Sequence, residues 1–277
     1  MLPTDPWPET VARARELEDL GYHHIWTYDH LSWRRYRERD WHAAIPWLTG
    51  IAAATSRIRV GTMVSSPNFR HPVALAKDAM TLDNVSGGRL TLGIGAGGIG
   101  FDATVLGGEV LSPRVRADRL GEFVEVVGGL LAAPRFSFTG DFYTVDDARM
   151  IPGCVQRPRL PVAVAAGGRR TLEIVARHGD AWITEGPLPA VRERAALLDE
   201  HCARLDRAVP RRIFLADEEE RPLASVDAFV DYVGRLGAMG FTDLVFHDPR
   251  PDDPVWTDDP AMVERIGALL TAGAVGG

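Results

Sequence analysis

Short apolar runs alternate with longer amphipathic ones along almost the whole chain, and that rhythm limits the possible folds more than any other feature. The short runs are Tyr22–Thr27, Arg57–Val64, Arg89–Gly95, Pro161–Ala166, Ala181–Thr184, Arg212–Ala216 and Phe241–His247. They read as strands, and their near-continuous apolar character is that of strands covered on both faces. Eight helical patterns flank and separate them: Pro6–Leu20, Ala43–Thr55, Pro72–Val85, Pro113–Ala132, Arg169–His178, Pro189–Arg207, Ser225–Met239 and Pro260–Leu270. Strands that alternate with helices imply βαβ units and a parallel sheet. At 277 residues the chain is near the roughly 250 of one (β/α)8 TIM barrel. The expected fold is therefore an α/β barrel in a single domain, 1–277. Seven strands are legible where a closed barrel needs eight, and the first pattern is a helix. Two explanations stay open: the reading begins late, at Met1, or the first strand is shortened to a stub. One excursion, Pro134–Pro158, holds two β-like runs about Gly140-Asp141 and predicts a hairpin inserted before the fifth barrel strand.

Charge and cysteine content exclude several functions. Net charge is −7, and Lys and Arg are scattered, so neither a nucleic-acid footprint nor a polybasic membrane patch is expected. The acidic run Asp217–Glu220 reads as a solvated loop. Cys154 and Cys202 are too few for a disulfide framework and too far apart for a metal site, so no metal is expected. No stretch approaches the ~18 apolar residues of a membrane span, and the first residues lack a signal-peptide pattern. The expectation is a cytoplasmic protein acting on a small molecule.

Four segments at strand ends carry candidate chemistry. Gly95-Ala96-Gly97-Gly98-Ile99-Gly100 matches G-x-G-x-x-G, but no helix opens at once and no acidic residue closes a second strand ~20 residues on, so the dinucleotide reading fails. What remains is a strand end whose backbone can approach a ligand closely, against the plainer reading of a flexible loop. Ala166-Gly167-Gly168-Arg169 runs from strand into helix, where free N–H groups attract phosphate and Arg169 adds charge. The plainer reading is a tight turn, which explains one glycine better than two. Trp26-Thr27-Tyr28-Asp29-His30 places a histidine beside an aspartate at a strand mouth, with Trp33 nearby; such a histidine exchanges protons near neutral pH. The alternative is a loop cap beside a surface histidine. Gly61 to Pro72 shows no more than a sharp turn into a helix.

These segments, in this order, resemble the bacterial luciferase-like superfamily, whose members use reduced flavin or the deazaflavin coenzyme F420. The matching stretch runs from about Leu20 to Gly186 and includes Leu-Gly-Tyr-His-His-Ile-Trp-Thr-Tyr-Asp-His, Arg-Ile-Arg-Val-Gly-Thr, Arg-His-Pro, Ser-Gly-Gly-Arg-Leu-Thr-Leu-Gly-Ile-Gly-Ala-Gly and Ala-Ala-Gly-Gly followed by His-Gly-Asp-Ala-Trp. The resemblance implies a non-prolyl cis peptide at Met63–Val64 against the cofactor ring. It implies cofactor contacts from Gly95, Ala96 and Gly97, and a phosphate turn at Ala166, Gly167 and Gly168 with Arg169 and Thr184. Asp29-His30 matches a pair typical of the deazaflavin branch, in which Asp29 would assist His30 and Trp33 would lie near the active-site tryptophan. That pair favours F420 over FMN. Two departures argue against a sugar-phosphate substrate: Gly98 stands where such dehydrogenases carry glutamate, and Pro187 where they carry lysine.

The function implied is an F420-dependent oxidoreductase moving a hydride to or from a small organic substrate. An FMN-dependent monooxygenase using oxygen is the first alternative, and a catalytically silent cofactor-binding barrel the second. Relatives often pair, so the resemblance admits a homodimer. The loop Asp248–Asp259, with Trp256, is a candidate lid.

Overall fold

The computed structural model describes residues 1–217, 220–250, 253 and 255–273. Glu218 and Glu219 of the acidic run, Pro251, Asp252 and Pro254 of the candidate lid, and the last four residues of the expected domain lie outside the described residues.

Seven strands form one parallel sheet: β1 (His24–Thr27), β2 (Arg59–Thr62), β3 (Leu90–Ile94), then β6 (Val162–Ala165), β7 (Ala181–Glu185), β8 (Arg211–Leu215) and β9 (Asp243–Val245), paired in that order. The helices are α1 (Trp7–Asp19), α2 (Ala44–Ala54), α3 (Pro72–Ser86), α4 (Pro113–Ala132), α5 (Arg169–His178), α6 (Leu188–Arg204), α7 (Val226–Gly237) and α8 (Ala261–Thr271). The sheet curls into a nearly closed barrel of the TIM type. Its helices start and stop where the chain supplies caps. The Ser112 and Ser225 hydroxyls accept from Val115 and Ala228 N–H, and Gly87 ends α3 at φ 65.

The expected insertion is present as an antiparallel pair, β4 (Arg135–Thr139) and β5 (Thr144–Arg149), before the fifth barrel position. Its turn is fastened from outside: the Glu122 carboxylate on α4 accepts the N–H groups of Asp141, Phe142 and Tyr143.

The core is continuous around the well-paired strands. Every residue of β3 is buried, and Leu92, Val162 and Trp182 are wholly enclosed. The sheet is not hydrogen-bonded between β9 and β1. Among the described residues no strand pairs between them, and a cavity of about 580 Å³ lies there. Met1 and Leu2 enter this seam at its mouth end, and the Met1 amino group donates to the Trp26 carbonyl at 3.1 Å. The run Phe241–His247 was expected to be strand throughout; only Asp243–Val245 pairs, because one edge of it has no neighbour.

Candidate active site

The four strand-end segments meet at the carboxyl-terminal mouth of the barrel, where α/β barrels build their sites. β2 runs into Met63–Val64, whose peptide bond is cis, as the resemblance implies. The segment beyond it is tied to β3: Ser65 N–H donates to the Gly93 carbonyl at 2.8 Å, and Gly95 N–H returns a bond to the Ser65 carbonyl at 2.9 Å. Thr62 Oγ1 donates to the same Gly93 carbonyl at 2.8 Å. Gly95 has to be glycine here, since a Cβ would stand 2.5 Å from Val64 Cγ2. Gly97 has φ +78, and a Cβ there would meet the Asn68 side chain at 2.5 Å. The glycine loop therefore lies directly on the Val64–Asn68 segment, with Ala96 packed against the core.

His30 and Asp29 do not form the pair that their adjacency suggests. Asp29, 1 % exposed, takes a two-pronged bond from Arg70 at 2.7 and 3.0 Å and another from Ser65 Oγ at 2.5 Å. Its carboxylate is fully engaged in fastening the end of β1 to the end of β2. The partner of His30 is Asp102, 72 residues away, whose Oδ2 meets His30 Nδ1 and whose Oδ1 accepts from Leu31 N–H at 3.2 Å. With Nδ1 taken by Asp102, Nε2 is the ring nitrogen of His30 left for proton exchange.

Trp33 is buried in an aromatic wall rather than facing the mouth openly. It stacks on Tyr28 with centroids 4.4 Å apart and on Trp256 at 5.8 Å, and lies 6.1 Å from His30. Trp256 in turn lies on His247 at 3.4 Å, and Tyr28 Oη is 2.7 Å from His247 Nε2. Burial pushes His247 down to about 3, so its ring is neutral at ordinary pH, and the same burial raises the Tyr28 phenol. The described residues of the candidate lid are pinned, not free. Asp253 accepts from Tyr36 Oη at 2.8 Å and from Val255 and Trp256 N–H at 2.9 and 3.0 Å. Trp256 is part of the fixed wall.

The turn at Gly167–Gly168 caps α5. Gly168 N–H donates to Thr171 Oγ1, which donates back to the Gly168 carbonyl. Arg169 opens the helix and is exposed. The guanidinium beside the turn belongs instead to Arg194 of α6, 3.7 Å from where a Gly167 Cβ would stand. Arg194 also donates to the Glu185 carbonyl at 2.8 Å and reaches Thr184 Oγ1 at 3.4 Å. Ala166 accepts from Trp182 Nε1 at 2.9 Å, which locks the strand end. An open glycine turn, a helix N-terminus and a neighbouring cation suit a phosphate. On the far side of the mouth, Arg116 of α4 donates to the Gly97 carbonyl at 2.9 Å and Arg119 donates to Asn68 Oδ1 at 2.7 Å.

The family profile described as luciferase-like monooxygenase matches residues 1–266. The chain belongs to this family. Among curated relatives, an F420-dependent glucose-6-phosphate dehydrogenase of Amycolatopsis mediterranei is 30% identical over 231 residues, covering 78% of this chain and 67% of its own. Among solved structures, monooxygenase RslO1 from Streptomyces bottropensis superposes with TM-score 0.78 at 21% identity, over 97% of this chain and 94% of its own. The coenzyme F420 dependent tetrahydromethanopterin reductase from Methanopyrus kandleri gives TM-score 0.72 at 17% identity, over 96% and 95%. The chain is thus an oxidoreductase of the luciferase-like family, with relatives named for F420 dependence.

Sequence reasoning missed Asp102, Arg116, Arg119 and Arg194. For the α4 pair a signal existed: arginines three apart in a helix share a face. Asp102 had none, because His30 is 72 residues away in the chain, and Arg194 had none, because only the fold brings α6 beside the Gly167 turn. Among the described residues no group of three or more metal-ligating side chains occurs, and no helix is long and apolar enough to cross a membrane.

Proposed function

We propose that this luciferase-like protein is an F420-dependent oxidoreductase that moves a hydride between the deazaflavin and a small organic substrate. The observation that carries the reading is His30. Its Nδ1 is held by the buried Asp102 carboxylate, and it stands at a mouth bordered by the Met63–Val64 segment and the Gly95–Gly97 loop. F420-dependent relatives support the same cofactor.

The residues present fit such a group. Gly167, Gly168, the α5 N-terminus and Arg194 would hold its phosphate, with Arg169 at the rim. Met63, Val64, Gly95, Ala96 and Gly97 would form the bed of its ring system, a bed that side chains at Gly95 and Gly97 would fill. When bound, the deazaflavin supplies the hydride chemistry. The protein's task is positioning and proton handling. His30 would give or take a proton at Nε2, in the tautomer fixed by Asp102. Asp29 would act at one remove, by holding Arg70 and Ser65 and so the strand ends. Trp33, Tyr28 and Trp256 would keep water from one side of the mouth. Gly98 and Pro187, in place of glutamate and lysine, support a substrate other than a sugar phosphate.

Side-by-side fluorescence titration with F420 and FMN tests the cofactor. The expected result is tight binding of F420 and weak binding of FMN. The reverse would move the reading to an FMN-dependent monooxygenase. His30→Ala is expected to retain F420 and to lose about 10²–10⁴-fold in turnover once a substrate is found. Unchanged turnover would remove His30 from the mechanism.

A further inference from the structure

We propose that Tyr28, held by His247, is a hydrogen-bond donor of the active site that grips an oxygen on the carbon exchanging the hydride. The inference rests on the hydride-transfer reading above and adds to it a residue and a feature of the substrate. Tyr28 directly follows β1 and stands two residues after Trp26, and in extended chain such residues share a face. Trp26 belongs to the cluster inside the barrel with Met63, Ile183 and Ile213, and Tyr28 packs against that cluster beside Val64. Tyr28 thus borders the Met63–Val64 bed from within. Its ring lies 6.3 Å from that of His30. His247, two residues beyond β9, meets it from the other side.

The direction of the Tyr28–His247 bond follows from what the imidazole can reach. Its Nε2 is 2.7 Å from Tyr28 Oη. Its Nδ1 is buried and has no hydrogen-bond partner among the described residues; the Ala216 carbonyl comes near the ring without the geometry of a hydrogen bond. A neutral imidazole carries one ring proton. On Nδ1 that proton would be a buried donor without an acceptor. On Nε2 it is given to the phenol oxygen. The imidazole therefore donates to Tyr28 and cannot also accept from it. Among the described residues Oη makes no other hydrogen bond, so the phenol O–H is left to donate.

That proton stays on the phenol. Burial first, and then the charges of Glu185 and Asp217, hold Tyr28 far above its ordinary value, and burial lowers His247 to about 3. The pair is neutral and can polarise an oxygen without exchanging a proton with it. An alcohol or carbonyl oxygen suits such a donor. In the oxidising direction the substrate C–H bond breaks and its electron pair leaves as hydride to the deazaflavin. The hydroxyl proton passes to His30 Nε2, and the C=O bond forms. Tyr28 holds the oxygen on both sides of this step. In the reverse direction its bond strengthens as negative charge builds there.

Two measurements test the proposal. The first is nitrogen-15 NMR of ring-labelled histidine in the full chain, with His247→Gln to assign the signal. The expected ring is neutral and protonated at Nε2, with no titration until pH approaches about 3. A proton on Nδ1 overturns the proposal. The second is NMR titration of the F420-loaded protein with cyclohexanol. Tyr28→Phe keeps the stacked ring and removes the hydroxyl, and is expected to weaken cyclohexanol binding by about three- to tenfold. His247→Leu is expected to do the same, and His247→Gln, which retains an N–H donor, to restore most of the binding. F420 affinity is expected to be unchanged in all three. Equal cyclohexanol binding by wild type and Tyr28→Phe, with F420 bound to both, overturns this proposal and leaves the hydride reading standing. A wild type that does not bind F420 sinks the hydride reading, and this one with it.

Discussion

The β3–β6 wall and the β1–β9 seam are built from the same kind of apolar run, yet they are packed differently. In the wall, Leu92 pairs with Val162 and Ile94 with Val164, and all four are wholly buried. At the seam, all three residues of β9 are only partly buried, and among the described residues no strand pairs with its outer edge. The seam also gathers three basic groups that burial keeps neutral: the Met1 amine, lowered to about 6, His24, lowered to about 4, and His247, lowered to about 3. A strand's burial is thus set by its neighbours as much as by its own residues. The site divides along the same line: its glycine bed stands on the wall, while His30 and the aromatic stack stand on the seam side.

The largest contrast to break is in stability. Leu92→Ala in the wall is expected to cost about 2–5 kcal/mol in urea unfolding. A smaller loss would mean that the wall can collapse around a deletion. The pH dependence comes next. Each of the three seam bases has a folded pKa below its ordinary value, so the unfolded chain binds more protons. Stability is full above the ordinary values, 8.0 for the amine and 6.5 for the histidines, and is lost as pH falls through the window down to each folded value. The slope approaches about 1.4 kcal/mol per pH unit for each group titrating. His24→Gln should flatten the acid limb between pH 6.5 and about 4; an unchanged limb would clear His24 of the effect.

Asp102 links the two regions, since it follows β3 and holds the histidine that follows β1. Asp102→Asn is expected to lower kcat by up to the about 10²–10⁴-fold that a positioned general acid or base contributes, to shift its pH profile and to leave F420 affinity unchanged. Equal losses in affinity would make it a structural brace for the mouth. The smallest effect belongs to the seam: Leu244→Ala is expected to cost less than about 1.5 kcal/mol, because the side chain already borders a cavity. A cost equal to that of Leu92→Ala would erase the comparison.

Much of this was legible in the residues. The strand and helix alternation, the hairpin about Gly140-Asp141 and the glycine turns at 95–97 and 167–168 all appear where the patterns put them. These features are local: periodicity, caps and turn chemistry act over a few positions. The partner of His30 is not legible in the sequence, because adjacency in the chain is not contact. Residues 29 and 30 point different ways at the end of β1, and the carboxylate that reaches the ring arrives from the loop after β3. Arg194 is not legible beside the Gly167 turn for the same reason, since α6 is brought beside the α5 turn only by the curl of the sheet.

By itself, the sequence determined which segments are strands, which are helices and which turns carry glycine, because those follow from side-chain period and backbone freedom. Tertiary structure alone decided that Asp102 holds His30, that Arg194 lies beside the Gly167 turn, that Trp256 packs into an aromatic wall and that a lined cavity opens between β9 and β1. Each of these depends on distances between residues far apart in the chain, and such distances are set only when the sheet curls and its helices pack.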